Sequence, residues 1–269
     1  MGIKTNMKSL TPRREAFKKE ITLVTGGYYC KDKLPGGKVT VFPWDSHVDE
    51  WFTEQSQKSR SQFLLYETAS KVAALNGLDW KDLTDGDAMT IIMVARAITT
   101  GFKVRFETEC PGCSDKTISE VAVPDQLDKV NEKTDDYSGI ETITLPVSKD
   151  KVMFRHAFVK DLISVNGRSP ENKSKVTQAA AIAALTVVSI GGTGEKDPTT
   201  GLIDGAPASI QEFLQWYEAL PPEDEKYLAT QRAALEPNLS QKVNCKCDKC
   251  SKEFSYKLDL TLDFFRAGL

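Results

Sequence analysis

The stretch FKVRFETECPGCSDKTISEVAV, residues 102–123, carries the pattern that decides the fold. Phe102, Val104, Phe106 and Thr108 alternate with Lys103, Arg105, Glu107 and Glu109, which is the period-two pattern of a half-buried strand. The strand delivers Cys110, Pro111 and Gly112 turn the chain, Cys113 follows, and KTISEVAV resumes in extended form. A CxxC turn between strands is half of a zinc site: two intervening residues let both sulfurs approach one ion at about 2.3 Å while turn amides point at them. Half of a tetrahedral shell needs another half.

It lies near the other end. QKVNCKCDKC, residues 241–250, leads into KEFSYKLDLTL, where Phe254, Tyr256, Leu258, Leu260 and Leu262 share one face and Ser255, Lys257, Asp259 and Thr261 oppose them. Cys110 and Cys247 are separated by 137 positions, as are Cys113 and Cys250. A redox CxxC opens a helix in a βαβ unit, whereas strand patterning follows both motifs here. A structural four-thiolate zinc site at Cys110, Cys113, Cys247 and Cys250 is the expectation, with rubredoxin-like iron or unbound thiols as the alternatives. At the same spacing Cys245 falls on Thr108; it shares a strand face with Val243 and reads as a small core residue, as does Cys30.

The repeat extends beyond the cysteines. Leu78 and Trp80 precede Leu214 and Trp216 by 136 positions, Leu83 and Leu220 are 137 apart, and LPGGKVTVF from Leu34 resembles LPVSKDKVMF from Leu145. The sequence therefore predicts an α+β fold built from two copies of a unit of β-hairpin, helices and zinc knuckle, about residues 21–125 and 140–263. The two knuckles would meet and share one ion, joining the halves into one compact body. A basic flexible arm, residues 1–20, precedes them, and GGTGEKDPTTGLIDGAP, residues 191–207, is a loop insert in the second copy. Helices are expected over Ser61–Asn76, Asp85–Thr99 and Ser174–Ile190, from Ser209, and after Pro221 and Pro222. Thr84 with Asp87, and Ser209 with Glu212, carry capping-box spacing.

Several function classes are disfavoured. With 40% apolar residues, 27% charged residues and a formal net charge of −3, this is an ordinary soluble composition and not that of a generic polyanion binder. The first twenty residues lack the apolar core of a secretory signal, which suggests a reducing compartment, where clustered cysteines more often hold metal than disulfides. VTQAAAIAALTVVSI, residues 176–190, is too short to span a bilayer and reads as a buried helix.

No catalytic residues are expected. The chain has only two histidines, His47 and His156, each beside a strand end and read as structural or surface residues. GGTG at residues 191–194 lacks the following GK[ST] of a phosphate loop, and the carboxylates of PPEDE, residues 221–225, suit a helix start. Lys242, Lys246, Lys249, Lys252 and Lys257 surround the second knuckle, but Asp248, Glu253 and Asp259 offset much of their charge. In the arm, Lys4, Lys8, Arg13, Arg14, Lys18 and Lys19 read as a solvated tail or as a segment that orders on a partner protein.

The layout of LPGGKVTVF, LPVSKDKVMF, FKVRFETECPGC and CKCDKC, with LDFFRAGL closing the chain, resembles the T-even-type phage baseplate protein family of contractile tails. From about residue 20 to the end, the resemblance implies zinc ligands at Cys110, Cys113, Cys247 and Cys250 and no catalytic residues. It implies a non-enzymatic virion or assembly protein of the tail baseplate, assembled in the host cytoplasm, whose partners are hub, wedge or tape-measure proteins. The alternatives are a transient assembly chaperone and a zinc-ribbon nucleic-acid binder.

Overall fold

The computed structural model describes residues 17–58, 63–100, 103–122, 139–166, 178–191, 202–203, 206–235 and 242–257. Most of the amino-terminal arm, much of the 191–207 insert and the closing LDFFRAGL lie outside the described residues. The fold is mixed α and β, in two units: one of residues 1–80, 87–135 and 238–269, the other of residues 81–86 and 136–237. Both cysteine hairpins belong to the first, so the 140–263 stretch contributes chain to both units.

The first unit starts with strands β1 (Lys19–Thr22) and β2 (Lys38–Val41), paired antiparallel with Ile21 opposite Val39. The loop between them folds back on itself. Gly27 and Gly37 both have positive φ, 71° and 66°, and a Cβ on either would collide with the other's backbone. Helices α1 (Ser46–Lys58) and α2 (Leu64–Val72) follow, and β3 (Ala73–Ala74) returns to pair with β2. Helix α3 (Asp85–Thr100) is apolar nearly all round, and every residue from Gly86 to Ala97 is buried, as such a pattern requires. The fully buried Trp44 donates its backbone N–H to Thr99 Oγ1 at 2.8 Å and packs against Phe52 of α1, fastening that helix's entry to the end of α3. The hairpins β4 (Lys103–Glu109) with β5 (Lys116–Ala122), and β11 (Lys242–Lys246) with β12 (Glu253–Lys257), complete the unit.

The second unit has the same order of elements at its start. Strands β6 (Ile140–Thr144) and β7 (Lys151–Arg155) form a hairpin, helices α4 (Val159–Asn166) and α5 (Gln178–Thr186) follow, and β8 (Val187–Ile190) returns to pair with β7. Beyond it lie β9 (Leu202–Ile203), parallel to β8, and β10 (Ala206–Pro207), giving the sheet order β10-β9-β8-β7-β6. Helices α6 (Ile210–Glu218) and α7 (Pro222–Leu235) close the unit. Its core gathers Leu145, Val152 and Phe154 from the hairpin, Ala180, Ala183 and Ala184 from α5, and Phe213, Leu214 and Tyr217 from α6.

Two carboxylates 137 positions apart occupy the same place in these two layouts. Asp87, third in α3, accepts from Thr25 N at 3.1 Å and Thr25 Oγ1 at 2.8 Å, in the β1–β2 loop. Asp224, third in α7, accepts from Val147 N and Ser148 N, both at 2.8 Å, in the β6–β7 turn. Both are buried. Burial raises the Asp224 carboxyl, but the amides of Ser148 and Val147 outweigh it and hold the group below the usual carboxylate range. PPEDE therefore does more than complement a helix dipole.

Other expectations need correction. The helix expected over Ser174–Ile190 is described only as Gln178–Thr186; Val187, Val188 and Ile190 go into β8, where β-branched residues pack well against the sheet. Similarly Ala73 and Ala74, expected to continue a helix to Asn76, pair with β2. Within the 191–207 insert, the described residues Leu202–Ile203 and Ala206–Pro207 are sheet rather than loop. Helices α1 and α4 were unforeseen. At Ser209 the capping box is present: its hydroxyl accepts from Glu212 N at 3.3 Å, and its own N–H donates to Glu212 Oε2 at 2.6 Å.

Candidate metal centre

Each cysteine turn is built by the same backbone bonds. In the first, Cys110 N donates to Asp115 O at 3.0 Å and Ser114 N to Cys110 O at 2.9 Å, with Ser114 at φ 56°. In the second, Cys247 N donates to Lys252 O and Ser251 N to Cys247 O, both at 2.9 Å, with Ser251 at φ 58°. Every one of these positions is shifted by 137. The tight turn aims its amides inward: Gly112 N points at Cys110 Sγ at 3.3 Å, and the N–H groups of Cys250 and Lys249 are placed to lower the Cys247 thiol.

The four expected ligand residues meet. All four sulfurs lie within 4.8 Å of one another, and Cys110 to Cys250 and Cys113 to Cys247 are each 3.6 Å apart. Four sulfurs at about 2.3 Å from one tetrahedral ion would be separated by roughly 3.8 Å, so the cluster needs little adjustment to hold zinc. Cys110 and Cys247 are buried, while Cys113 and Cys250 are exposed. Lys249 on the second turn pairs with Asp115 on the first at 3.1 Å, and Lys252 lies over Gly112, where a side chain would press on it.

The four thiols oppose one another's ionisation. The Cys250 amide leads in lowering the Cys247 thiol, which against desolvation falls to about 6, helped by the Thr117 hydroxyl, the Lys249 amide and Cys113. At Cys113 the Asp115 amide also lowers, but desolvation and the thiols of Cys247, Cys250 and Cys110 prevail and push it to about 12. One thiolate thus suppresses the next, and a divalent ion is what would let all four sulfurs stay deprotonated.

The remaining candidates are elsewhere. Cys245 sits in a small core with Val243, Phe106, Phe254 and Tyr256, its sulfur 3.8 Å from Val243 O, and Phe106 stacks on Tyr256 with ring centres 5.5 Å apart. Cys30 is buried, and desolvation with the nearby Asp87 raises its thiol to about 11. His47 is exposed on α1. His156 is buried, and desolvation, then Arg232 and Arg155, lower it to about 4, which keeps it neutral. A half-open cavity of about 310 Å³ in the second unit is lined by Arg155, Lys160 and apolar side chains, but Arg155 is paired with Asp161 and Lys160 with Asp82. No helix among the described residues is long and apolar enough to cross a membrane.

Sequence reasoning did not anticipate Thr117 beside the Cys247 sulfur. On the repeat it aligns with Phe254, and nothing in a strand pattern distinguishes a core threonine from one that lies near a candidate ligand. The family model described as T4 bacteriophage base plate protein matches residues 54–266. No curated protein and no solved structure matches the chain.

Proposed function

The chain belongs to the T4 bacteriophage base plate protein family, and from that premise we propose that it is a non-enzymatic structural component of a contractile phage tail. In this reading its surfaces bind other baseplate proteins of the hub or wedge, and a zinc ion held by Cys110, Cys113, Cys247 and Cys250 fixes the two cysteine hairpins together. The family match over residues 54–266 carries the baseplate role, and the four-sulfur cluster carries the metal. Bound zinc would supply folding energy, as in other four-thiolate sites. The chain's own part is to present the sulfurs: two turns of one geometry, each with amides aimed at its first cysteine, tied across by Lys249 and Asp115.

We also read the two halves of the chain, about residues 21–125 and 140–263, as copies of one ancestral unit. Supporting this are the shared order of hairpin, two helices and returning strand, the cysteine turns repeated at 137, and the paired roles of Asp87 and Asp224. A non-enzymatic role is supported by how buried polar groups are used. Asp87, Asp224 and Asp161 each hold a loop or a neighbouring Arg in place, and His156 stays neutral.

Mass spectrometry of purified tails tests the role. The structural reading expects the protein in finished tails at a fixed ratio to other baseplate proteins, with about one zinc per chain by elemental analysis. Absence from finished tails, with assembly still dependent on the protein, would replace it with a transient chaperone.

A further inference from the structure

The two cysteine turns match in backbone geometry, but their surroundings differ at one position. Beside the second lies Thr117 of β5, whose counterpart 137 residues on is Phe254. Thr117 is 2% exposed, and its hydroxyl, near enough to the Cys247 sulfur to lower that thiol, makes no full hydrogen bond. It faces Thr108 directly across the β4–β5 ladder, and that buried hydroxyl is also unpartnered. The strand carrying Thr117 lies against β11, which leads into Cys247. A buried hydroxyl without a partner is destabilising, so a site that keeps one has a use for it or tolerates a cost.

We propose that Thr117 is a positioning residue of the metal centre, its hydroxyl donating to the Cys247 sulfur once that sulfur is a metal-bound thiolate. This rests on the metal reading above. A neutral thiol is a weak acceptor, and the hydroxyl gains little from it. A metal-bound thiolate carries charge and free lone pairs, and hydrogen bonds to ionised acceptors are shorter and stronger. Each turn gives its first cysteine amide donors, Gly112 to Cys110, and Lys249 and Cys250 to Cys247. Thr117 adds a side-chain donor that the first turn has no equivalent for, since Phe254 carries no hydroxyl. The centre is therefore asymmetric. Cys247, buried and faced by both amide and hydroxyl donors, becomes its firmest ligand, and the exposed Cys113 and Cys250 become its weaker edge.

The test uses the full chain with Thr117→Val, Thr117→Ser and Thr108→Val, each loaded with zinc or with cobalt(II) as a spectroscopic substitute. Thr117→Val keeps the β-branched shape and removes the donor. It is expected to weaken zinc about tenfold or more in competition with a chromophoric chelator, in line with the loss of outer-shell partners at other sites. The sulfur-to-cobalt charge-transfer band should move to lower energy, because a sulfur that has lost a hydrogen bond gives up its electrons more easily. Thr117→Ser should restore both readings, and the metal-free Thr117→Val protein should be no less stable than the metal-free parent. Unchanged affinity and band in Thr117→Val, with the parent chain binding one tetrahedral ion, would overturn the proposal and leave the metal reading intact. An equal effect from Thr108→Val would overturn it as well, by showing general core strain. A parent chain that takes up neither zinc nor cobalt would instead sink the metal reading.

Discussion

Removing the metal should release one hairpin rather than unfold the chain. The first unit is made of chain segments far apart in sequence, and β11 with β12 rejoins it across the whole of residues 136–237. Closing a loop costs about 3 kcal/mol for 15 residues and nearly 5 for 100, so the cost here is about 3–5 kcal/mol whatever length of chain is counted. Against it stand the buried Val243 and Cys245, worth roughly 2 kcal/mol each, with smaller contributions from the half-buried Phe106, Phe254 and Tyr256. An isolated two-stranded hairpin is marginal in water. Without metal the docked and released states are thus nearly balanced, and a structural zinc, at an apparent 10–16 kcal/mol, decides the outcome.

Hydrogen exchange read by mass spectrometry separates these states. With metal bound, the β11–β12 ladder amides, such as those of Asn244 and Ser255, should be strongly protected. After a strong chelator their protection should fall by several orders of magnitude, while the second-unit ladder around Val152 and Phe154 keeps its own. If the metal leaves, by elemental analysis, and β11–β12 exchange is unchanged, the small apolar core holds the hairpin alone and the reasoning fails.

Three further outcomes follow from particular side chains. Cys245→Ser should leave metal stoichiometry intact, at a cost in stability of about 1–3 kcal/mol for a buried hydroxyl without a good partner, whereas Cys247→Ser should reduce metal content outright; elemental analysis and thermal melts distinguish them. His156 is held near 4 against an ordinary 6.5, so its contribution is complete above pH 6.5 and is lost as pH falls toward 4, by roughly 3 kcal/mol in all. Melting temperatures between pH 7 and 4.5 should therefore fall more steeply in the parent than in His156→Gln. Asp224→Asn turns an amide donor toward the N–H of Val147 or Ser148 and should lower the melting temperature more than Asp87→Asn, because one partner at Asp87 is the Thr25 hydroxyl, which can reverse its role.

The hairpins and the four sulfurs were legible because their signals are local and chemical: alternation fixes a strand face, and CxxC fixes a turn. Cys245 was placed in the core by the same alternation. Helix ends were legible where a side chain makes the cap, as at Ser209, and not where tertiary pairing decides. Val187–Ile190 continues an apolar run that no helix signal interrupts, and pairing with the neighbouring strands β7 and β9 makes it sheet. Helix α1 was invisible for the opposite reason. SHVDEWFTEQSQK is mostly polar, and Val48 and Phe52 are its buried anchors.

On the duplication proposed above, helices α3 and α7 show why a repeat can be plain in some residues and lost in others. Both begin with a residue pair followed by the buried aspartate, and Ile91 and Leu228, 137 apart, are both buried. The positions around them have gone separate ways. Met89, Thr90, Ile92 and Met93 are buried on α3, whereas Lys226, Tyr227, Ala229 and Thr230 are exposed on α7. A helix enclosed on nearly all sides is largely apolar, with its few buried polar side chains as exceptions, and one resting on a single leucine is polar elsewhere. Composition therefore follows what each helix packs against, and a comparison by hydrophobicity would miss the correspondence of their aspartates. The carboxylate survives because its task is independent of that environment: two donors in a turn need an acceptor from the helix start in either unit. Positions fixed by directional bonds, the cysteines and the two aspartates, hold the spacing of 137, as does the buried pair Ile91 and Leu228, whereas the residues around that pair follow the packing of each helix.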